Sequence, residues 1–328
     1  MNVLIFSELS DASTNDVIDW LKAFDHNVFR INEEDVVEDV RICMDDQTTT
    51  IRIKVRGDEI NLNEMDSIWY RRGYLNLNRK MNLPKQLEKE VYKAVSRHLI
   101  EDELMTLEKF IDSYLYDKPH LGNNVPLNSN KLIALKKAKE AGLKIPSSEI
   151  NTNKKEMFNF FNKHNQDCIS KGVQDILSFT VKNNGYNYAT SKIERADLDE
   201  MADSFFPSLL QKNVIKKYEL RIFYLNQRFF PMAIFSQSDE QTSIDFRNYN
   251  FEKPNRNIPF ILPKSIEEKL KVFMQSMNMD TGSIDMIVSS ENEYIFLEVN
   301  PKGQYGMTST PCGYNLDYEI AQEITKNV

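Results

Sequence analysis

The chain has 328 residues, of which 41% are hydrophobic, and its 41 Lys and Arg against 49 Asp and Glu give a formal net charge of -8. A chain of this length can bury more than one hydrophobic core, so we expect about two domains. The acidic balance argues against a protein that binds duplex nucleic acid, and we expect no nucleic-acid partner.

Cysteine usage and apolar run lengths bear on the cellular compartment. Cys43, Cys168 and Cys312 are widely spaced, odd in number and outside any CxxC pair. This pattern favours reduced thiols in the cytosol. The apolar run Val3–Phe6 is too short for the core of a signal peptide, and no later run has the length of a membrane span. We expect a cytoplasmic protein with no membrane partner.

The first part of the chain predicts a parallel sheet. Its predicted elements are, in order, a strand over 3–6, a helix ending near Phe24, a strand over 27–31, a hairpin over 49–62 and a strand over 67–70. The opening β-α-β order is typical of a parallel sheet, because parallel neighbours need a crossover connection. Pro84 opens a long amphipathic helix, and the Pro- and Gly-bearing segment 117–128 predicts a linker.

The rest of the chain predicts mixed helices and hairpins. The predicted elements are a helix over 131–141 capped by Asn130, strands over 167–170 and 179–182, a hairpin joining 218–225 to 228–235, a helix over 265–277, a hairpin over 282–300 and a last helix from Asp317. The predicted fold class is therefore α/β, with a parallel sheet first and α+β units after it.

Three oxygen-bearing side chains interrupt the apolar strands of the last hairpin. Side chains alternate faces along a strand, so Glu298 and Asn300 share one face and Leu297 points to the other. An even number of turn residues then places Asp285 on the face of Glu298, directly opposite or one step diagonal. Two close carboxylates repel unless a hard cation neutralises them, and Mg²⁺ prefers such oxygen ligands. The cluster predicts a Mg²⁺ site; the alternative is an exposed sheet face with solvated side chains.

Several upstream elements have the order and spacing of a known superfamily. They are Asn130-Lys131-Leu132 followed by 141–146, Ile169-Ser170-Lys171-Gly172, the segment 209–214, Glu219-Leu220-Arg221 and Asp245-Phe246-Arg247-Asn248. Together with Asp285, Glu298 and Asn300, this series resembles the ATP-grasp superfamily. The resemblance implies that ATP and Mg²⁺ are the cofactors.

The resemblance also implies roles for individual residues. Lys131, Lys171 and Arg221 would contact the nucleotide phosphates, and Glu219 belongs to the same nucleotide-binding set. Gln211, Lys212 and Val214 would form the hinge that lies against adenine. Arg221 and Arg247 would be the catalytic residues, with Arg247 near the acyl phosphate, and Asp285, Glu298 and Asn300 would hold the metal. Each also has an ordinary alternative, such as a surface lysine or an exposed Glu219–Arg221 pair.

The N-terminal segments narrow the resemblance. Ile68–Arg72 and the opening run 4–7 followed by Ser13 and Thr14 resemble the pre-ATP-grasp domain of ribosomal-peptide maturases. These are the microviridin-type and other graspetide ligases, and the chain looks most like those encoded beside SPASM radical enzymes. The resemblance implies a pre-ATP-grasp domain over 1–120, a central ATP-grasp subdomain over 121–210 and a C-terminal subdomain with the metal site over 211–328.

The implied function is an ADP-forming ligase that activates Asp or Glu side chains of a precursor peptide as acyl phosphates. Ring closure by a Ser or Thr hydroxyl or a Lys amine would give an ester or amide macrocycle. The partner would be a leader-plus-core peptide, with the polar tip 237–243 as a contact, and a homodimer is compatible with the amphipathic region 84–115. The alternatives are a ligase that adds a free amino acid, and a nucleotide-regulated peptide-binding module without turnover.

Overall fold

The structure is a computed structural model that describes residues 1–77, 88–123, 130–173, 177–182, 184–188, 190–237, 252 and 254–326. The chain divides into two compact units, one formed by Met1–Asn124 with Asn315–Val328 and the other by Val125–Tyr314. The last helix thus belongs to the first unit, and the division into domains over 1–120, 121–210 and 211–328 stays a prediction. Within the described residues, no helix combines the length and the apolar character needed to cross a membrane.

The helices and strands follow the chain in a simple order. The first segment contains β1 (Asn2–Ser7), α1 (Ala12–Ala23), β2 (Asn27–Asn32), β3 (Val37–Met44), β4 (Thr49–Val55), β5 (Asp58–Asn61), β6 (Ser67–Tyr70), α2 (Lys89–Arg97), α3 (Met105–Tyr116) and β7 (His120–Leu121). Next come α4 (Lys131–Glu140), β8 (Ser148–Asn153), α5 (Lys154–Lys163), β9 (Cys168–Ser170), β10 (Leu177–Val181), β11 (Asn184–Tyr188), β12 (Ser191–Ile193), α6 (Arg195–Glu200) and β13 (Ser204–Lys212). The last are β14 (Lys216–Leu225), β15 (Arg228–Phe235), β16 (Arg256–Pro259), α7 (Lys264–Ser276), β17 (Thr281–Ser289), β18 (Tyr294–Asn300), α8 (Gly306–Cys312) and α9 (Leu316–Thr325).

The first unit is built on the predicted parallel sheet, with strand order β2-β1-β6-β7. A second sheet, β3-β4-β5, is antiparallel and adds β3 to the predicted hairpin. The core joins both sheets to α3 through fully buried side chains such as Leu4, Ile51 and Ile111. Full burial of each such aliphatic side chain stabilises the fold by about 1.5–3 kcal/mol.

The C-terminal helix α9 joins the first unit through buried contacts. Leu316 and Ile320 are buried, and the indole nitrogen of Trp20 in α1 donates to Asp317 Oδ2 at 2.7 Å. The buried hydroxyl of Ser67 in β6 donates to the carbonyl of Ile324 at 2.7 Å. These long-range contacts explain why the last segment does not belong to the unit that precedes it along the chain.

Helix α2 contrasts with the rest of the first unit, because none of its residues is buried. It runs through the π-helical stretch His98–Leu104 into α3, which buries Ile111 and Leu115. The predicted amphipathic helix is therefore present from Lys89 onward, whereas Pro84 lies outside the described residues.

Besides the two-stranded pair β10-β11, the second unit contains two larger antiparallel sheets that position the candidate site. The smaller has strand order β12-β9-β13-β8 and packs on α5 through Phe160 and Phe161. The larger has strand order β16-β15-β14-β17-β18, and α4 and α7 cover one of its faces. Asn130 caps α4 as predicted, since its side-chain oxygen accepts from the backbone N–H groups of Leu132 and Ile133. The other face of the larger sheet carries the polar side chains.

Candidate functional site

A pocket opens where the two sheets of the second unit meet. Pro146 and Ile169 from the smaller sheet region and Leu297 from β18 give it apolar walls. The predicted site residues that line it are Lys171, Gln211, Lys212, Val214, Glu219, Asp285 and Glu298. The structure therefore brings together residues of the predicted phosphate contacts, the predicted hinge and the predicted metal-binding hairpin.

Charged side chains cross three adjacent strands of the larger sheet in register. Arg221 in β14 pairs with Asp285 in β17, and Asp285 pairs with Glu298 in β18. Arg221 Nη1 donates to both carboxylate oxygens of Asp285, at 2.8 and 2.7 Å, and both residues are buried. Glu298 Oε2 lies 3.4 Å from Lys131 Nζ. Each predicted metal carboxylate is thus held beside a predicted phosphate-binding cation.

Asn300 lies two cross-strand pairs beyond this row, opposite Ser283. Its side chain is exposed, and its oxygen accepts from the backbone N–H of Lys302 at 3.0 Å. Asn300 therefore shares the face of Glu298, as strand alternation predicts, but it does not line the pocket.

A β-bulge at Leu297 changes the pairing register within the last hairpin. On the turn side the pairs are Met286 with Phe296 and Ile287 with Ile295, whereas Asp285 pairs with Glu298. The extra residue turns Leu297 to the pocket, next to Glu298, and the prediction that Leu297 points to the opposite face is wrong. Asp285 still lies opposite Glu298, but the bulge, rather than an even-length turn, produces that register.

Glu219 lies in a buried polar triad at the pocket wall. Lys216 Nζ donates to Glu219 Oε1 at 2.5 Å, and Ser236 Oγ donates to Glu219 Oε2 at 2.6 Å. All three residues are buried. The contact of Lys216 with Glu219 could not be predicted from the sequence, because strand alternation puts positions 216 and 219 on opposite faces. A register shift between Lys216 and Tyr218 brings the lysine to the glutamate.

The hinge candidates lie at the end of β13. Gln211 is 1% exposed and pairs directly with Ser148 in β8 and Ile169 in β9. Its amide nitrogen donates to Ser148 Oγ at 2.8 Å. The backbone N–H of Lys212 donates to the carbonyl of Ser147 at 2.8 Å, which fixes the hinge to the start of β8.

Two predictions cannot be compared with this geometry. Arg247 and residues 238–243 of the predicted peptide-contacting tip lie outside the described residues. Gln237, at the edge of that tip, is described, and its amide nitrogen donates to Ser236 Oγ at 3.1 Å. Gln237 is thereby connected to the Glu219 triad through Ser236.

The donor set fits a nucleotide-bound Mg²⁺ rather than a metal caged by protein alone. Among the described residues, no group of three or more His, Cys, Asp or Glu could hold a metal ion. Two carboxylates on one face suit Mg²⁺, which takes its other ligands from phosphates and water. Within the described part of the chain, the buried Nε of Arg221 beside these carboxylates has no hydrogen-bond partner.

Comparisons with known proteins show which folds the chain resembles. Residues 2–123 match the family model of the MvdD pre-ATP-grasp domain. The chain also matches the Chryseobacterium gregarium RiPP-associated ATP-grasp ligase, solved with ADP and a leader and core peptide. The TM-score is 0.83 at 25% identity, over 100% of this chain and 97% of that one. The chain has the ATP-grasp ligase fold.

Further matches to ATP-grasp structures support the same fold. Macrocyclase MdnC from Microcystis aeruginosa MRC, bound to precursor peptide MdnA, has a TM-score of 0.78 at 24% identity over 100% of both chains. The ATP-grasp ligase PsnB, solved with minimal precursor, Mg and ADP, has a TM-score of 0.69 at 15% identity over 99% of this chain and 97% of that one. No curated protein sequence matches the chain. The predicted fold class and the resemblance to ATP-grasp peptide maturases are confirmed, whereas the subgroup encoded beside SPASM enzymes stays a prediction.

Proposed function

We propose that this chain is an ATP- and Mg²⁺-dependent ligase that activates Asp or Glu side chains of a ribosomally made precursor peptide and closes side-chain macrocycles. The observation that carries this proposal is the in-register row of Arg221, Asp285 and Glu298, whose two carboxylates line the pocket, with Lys131 beside Glu298. A nucleotide triphosphate with its metal requires both acidic and basic groups of this kind at one place.

The residues of the pocket would bind and orient ATP. Mg²⁺ on Asp285 and Glu298, with Asn300 at the edge, would neutralise phosphate charge. Lys131, Lys171 and Arg221 are proposed to contact the phosphate oxygens, and the hinge at Gln211 and Val214 to contact the base. Phosphoryl transfer needs little covalent participation from protein groups, so positioning and charge stabilisation account for most of the catalysis.

The proposed reaction has two steps. A side-chain carboxylate oxygen of the peptide attacks the γ-phosphorus of ATP, the bond from that phosphorus to the ADP oxygen breaks, and ADP leaves. A hydroxyl or amine of the same peptide then attacks the acyl carbon, phosphate leaves, and the attacking group loses its proton. Arg247 is proposed to stabilise the oxyanion of this second step. Each ring removes the mass of one water from the peptide.

The partner is proposed to be a precursor peptide with a leader and a core, and no nucleic acid takes part. The ligase from Chryseobacterium gregarium and MdnC were both solved with such peptides. We also propose a cytoplasmic location, where Cys43, Cys168 and Cys312 would stay as the free thiols seen in the structure.

A homodimer is proposed on the exposure of α2. Val91 and Tyr92 are each 43% exposed on this helix, which has no buried residue. Packing against a second copy would remove their apolar surface from water. Sedimentation equilibrium of the wild-type chain and of Val91→Lys would test this, since only the wild-type chain should form a dimer.

The decisive test of the function is mass spectrometry of a peptide encoded beside the gene, incubated with the chain, ATP and Mg²⁺. We expect ADP release together with the loss of whole water masses from the peptide. Hydroxylamine added during turnover should trap the acyl phosphate as a hydroxamate. A gain in mass equal to an amino acid would instead show the amino-acid-adding ligase, and peptide binding without ADP release would show the non-catalytic module.

A further inference from the structure

A serine outside the predicted site forms a hydrogen bond with a pocket side chain. Gln211 in β13 lies opposite Ser148 in β8 and lines the pocket. Its neighbour Leu210 is buried in the core of the smaller sheet, so Gln211 lies on the other face. Gln211 is almost completely buried, whereas Ser148 is exposed. The serine therefore contacts the amide from the outer edge of the strand pair.

Hydrogen bonds determine which end of the Gln211 amide faces Ser148. Ser148 Oγ lies 2.9 Å from the carbonyl oxygen of Pro146 and 2.8 Å from the amide nitrogen of Gln211. A serine hydroxyl has one proton, and a carbonyl oxygen only accepts. The hydroxyl therefore donates to Pro146 and accepts from Gln211, which requires the amide nitrogen, not the oxygen, on the serine side.

This arrangement leaves the amide oxygen of Gln211 as an acceptor. In the described part of the chain, the bond to Ser148 is the one side-chain hydrogen bond that Gln211 makes. Because Gln211 lines the pocket, a ligand that brings a donor to this wall gains a hydrogen bond with that oxygen. A ligand that brings another acceptor meets electrostatic repulsion instead.

We propose that Ser148 is a positioning residue for base specificity, which holds the Gln211 oxygen so that the pocket prefers a purine with an exocyclic amine over one with an oxygen in that place. Adenine carries the amine, and hypoxanthine carries the oxygen. The inference rests on the proposed ATP-dependent function and deepens it, because it assigns the choice of nucleotide to a hydroxyl that does not line the pocket.

Calorimetric titration with the Mg²⁺ complexes of ADP and IDP tests the proposal. We expect wild-type protein to bind ADP at least about tenfold more tightly than IDP. Ser148→Ala should reduce this ratio about three- to tenfold, because the amide is then able to turn its nitrogen to the base. Ser148→Thr keeps the hydroxyl and should restore the wild-type ratio.

The matched control is Ser208→Ala on β13, whose hydroxyl donates to the carbonyl of Phe206 at 2.8 Å. It should leave the ratio of affinities unchanged. A purely structural role of Ser148 would lower both affinities equally and also leave the ratio unchanged, and that result would overturn the proposal.

The variant Gln211→Glu tests whether Ser148 acts through the orientation of the Gln211 amide. Gln211→Glu presents an oxygen at both ends of the side chain, so Ser148→Ala in that background should leave the ratio as it is. A change of ratio there would contradict the amide-orientation argument. Equal affinity of wild-type protein for ADP and IDP would overturn the base specificity alone. Absence of binding to either nucleotide would overturn the proposed function as well.

Discussion

The two units each bury an aspartate–arginine pair, and the pairs differ in what surrounds them. In the first unit, Asp11 accepts from Arg71 Nε at 2.9 Å, from Ser13 Oγ at 2.5 Å and from Thr14 Oγ1 at 3.1 Å. These donors come from the start of α1 and from the residue after β6. The carboxylate is satisfied by several neighbours within its own network, as expected of a structural pair.

The pair in the second unit is less complete. Arg221 Nη1 donates to both oxygens of Asp285, but the buried Nε of Arg221 has no partner in the structure. Asp285 also lines the pocket. A buried ion pair is weak support for function by itself, since many are structural. The position of Asp285 on the pocket wall is what links the second pair to the proposed site.

The largest effect is expected from Glu298→Gln. Loss of this carboxylate should reduce peptide-dependent ADP release at least about a hundredfold, because the charge that would hold the metal is removed. A coupled ADP assay with Mg²⁺ in excess measures this. Glu293→Gln is the control: Glu293 lies on the same hairpin, pairs with Lys144 and is 37% exposed. This exposed pair contributes little, so activity should stay within about twofold. Wild-type turnover in Glu298→Gln would contradict the assigned site.

Replacing each arginine by methionine compares the two pairs directly. Arg71→Met and Arg221→Met should each lower the free energy of unfolding by about 3–5 kcal/mol, because a buried carboxylate loses its partner. ADP binding should be lost in Arg221→Met and retained in the fraction of Arg71→Met that is folded.

Tryptophan fluorescence separates the two effects, because Trp20 and Trp69 both belong to the first unit. Urea unfolding followed by fluorescence should shift mainly in Arg71→Met, and unfolding followed by circular dichroism should shift in both variants. Identical shifts by both probes in both variants would show that the two pairs act as parts of one folding unit.

Acid should reduce the contribution of the Asp11–Arg71 pair to the free energy of unfolding. Burial raises the pKa of Asp11, but Arg71, together with Ser13, Arg72 and Thr14, holds it below its ordinary value of 3.8. A carboxyl group whose pKa is lower in the folded than in the unfolded state stabilises the fold at pH values above the unfolded pKa. This contribution is lost as the pH falls through the folded pKa. The difference in urea midpoint between wild type and Asp11→Asn should therefore shrink from about pH 7 to about pH 3. A difference in urea midpoint that stays the same at both pH values would contradict the lowered pKa of Asp11.

The smallest effect concerns thiol reactivity, which should differ between the units without altering function. Burial raises the pKa of the Cys168 thiol to about 11, and its side chain is fully buried. Cys43 in the first unit is exposed. The thiolate is the reactive form, so a maleimide should label Cys43 in the native protein and Cys168 only after unfolding. Peptide mapping by mass spectrometry measures both, and equal rates would contradict the burial of Cys168.

The regular elements could be predicted from local pattern. The strands at 3–6 and 67–70, the Asn130 cap and the hairpin from 218 to 235 depend on periodicity and turn chemistry that the sequence displays. The row of Arg221, Asp285 and Glu298 could also be predicted in part, because alternation assigns faces within each strand.

The missed features depend on breaks in periodicity or on distant contacts. Two bulges, near Lys216 and Leu297, reverse the faces that alternation assigns. Ser148 belongs to a strand with no apolar alternation, and its partner Gln211 lies in a distant part of the chain. The packing of α9 on the first unit likewise depends on tertiary contacts, such as Ser67 with Ile324, for which the sequence has no local signal.

The extra residue at Leu297 also affects how the hairpin tolerates changes in length. It separates the pairs near the turn, such as Ile287 with Ile295, from the pair of Asp285 with Glu298. Insertions or deletions at the turn would ordinarily exchange the two faces whenever they change the count by one. A bulge that moves along the strand absorbs such a change before it reaches the acidic pair. Changes in length at the turn between β17 and β18 would then leave Asp285 paired with Glu298.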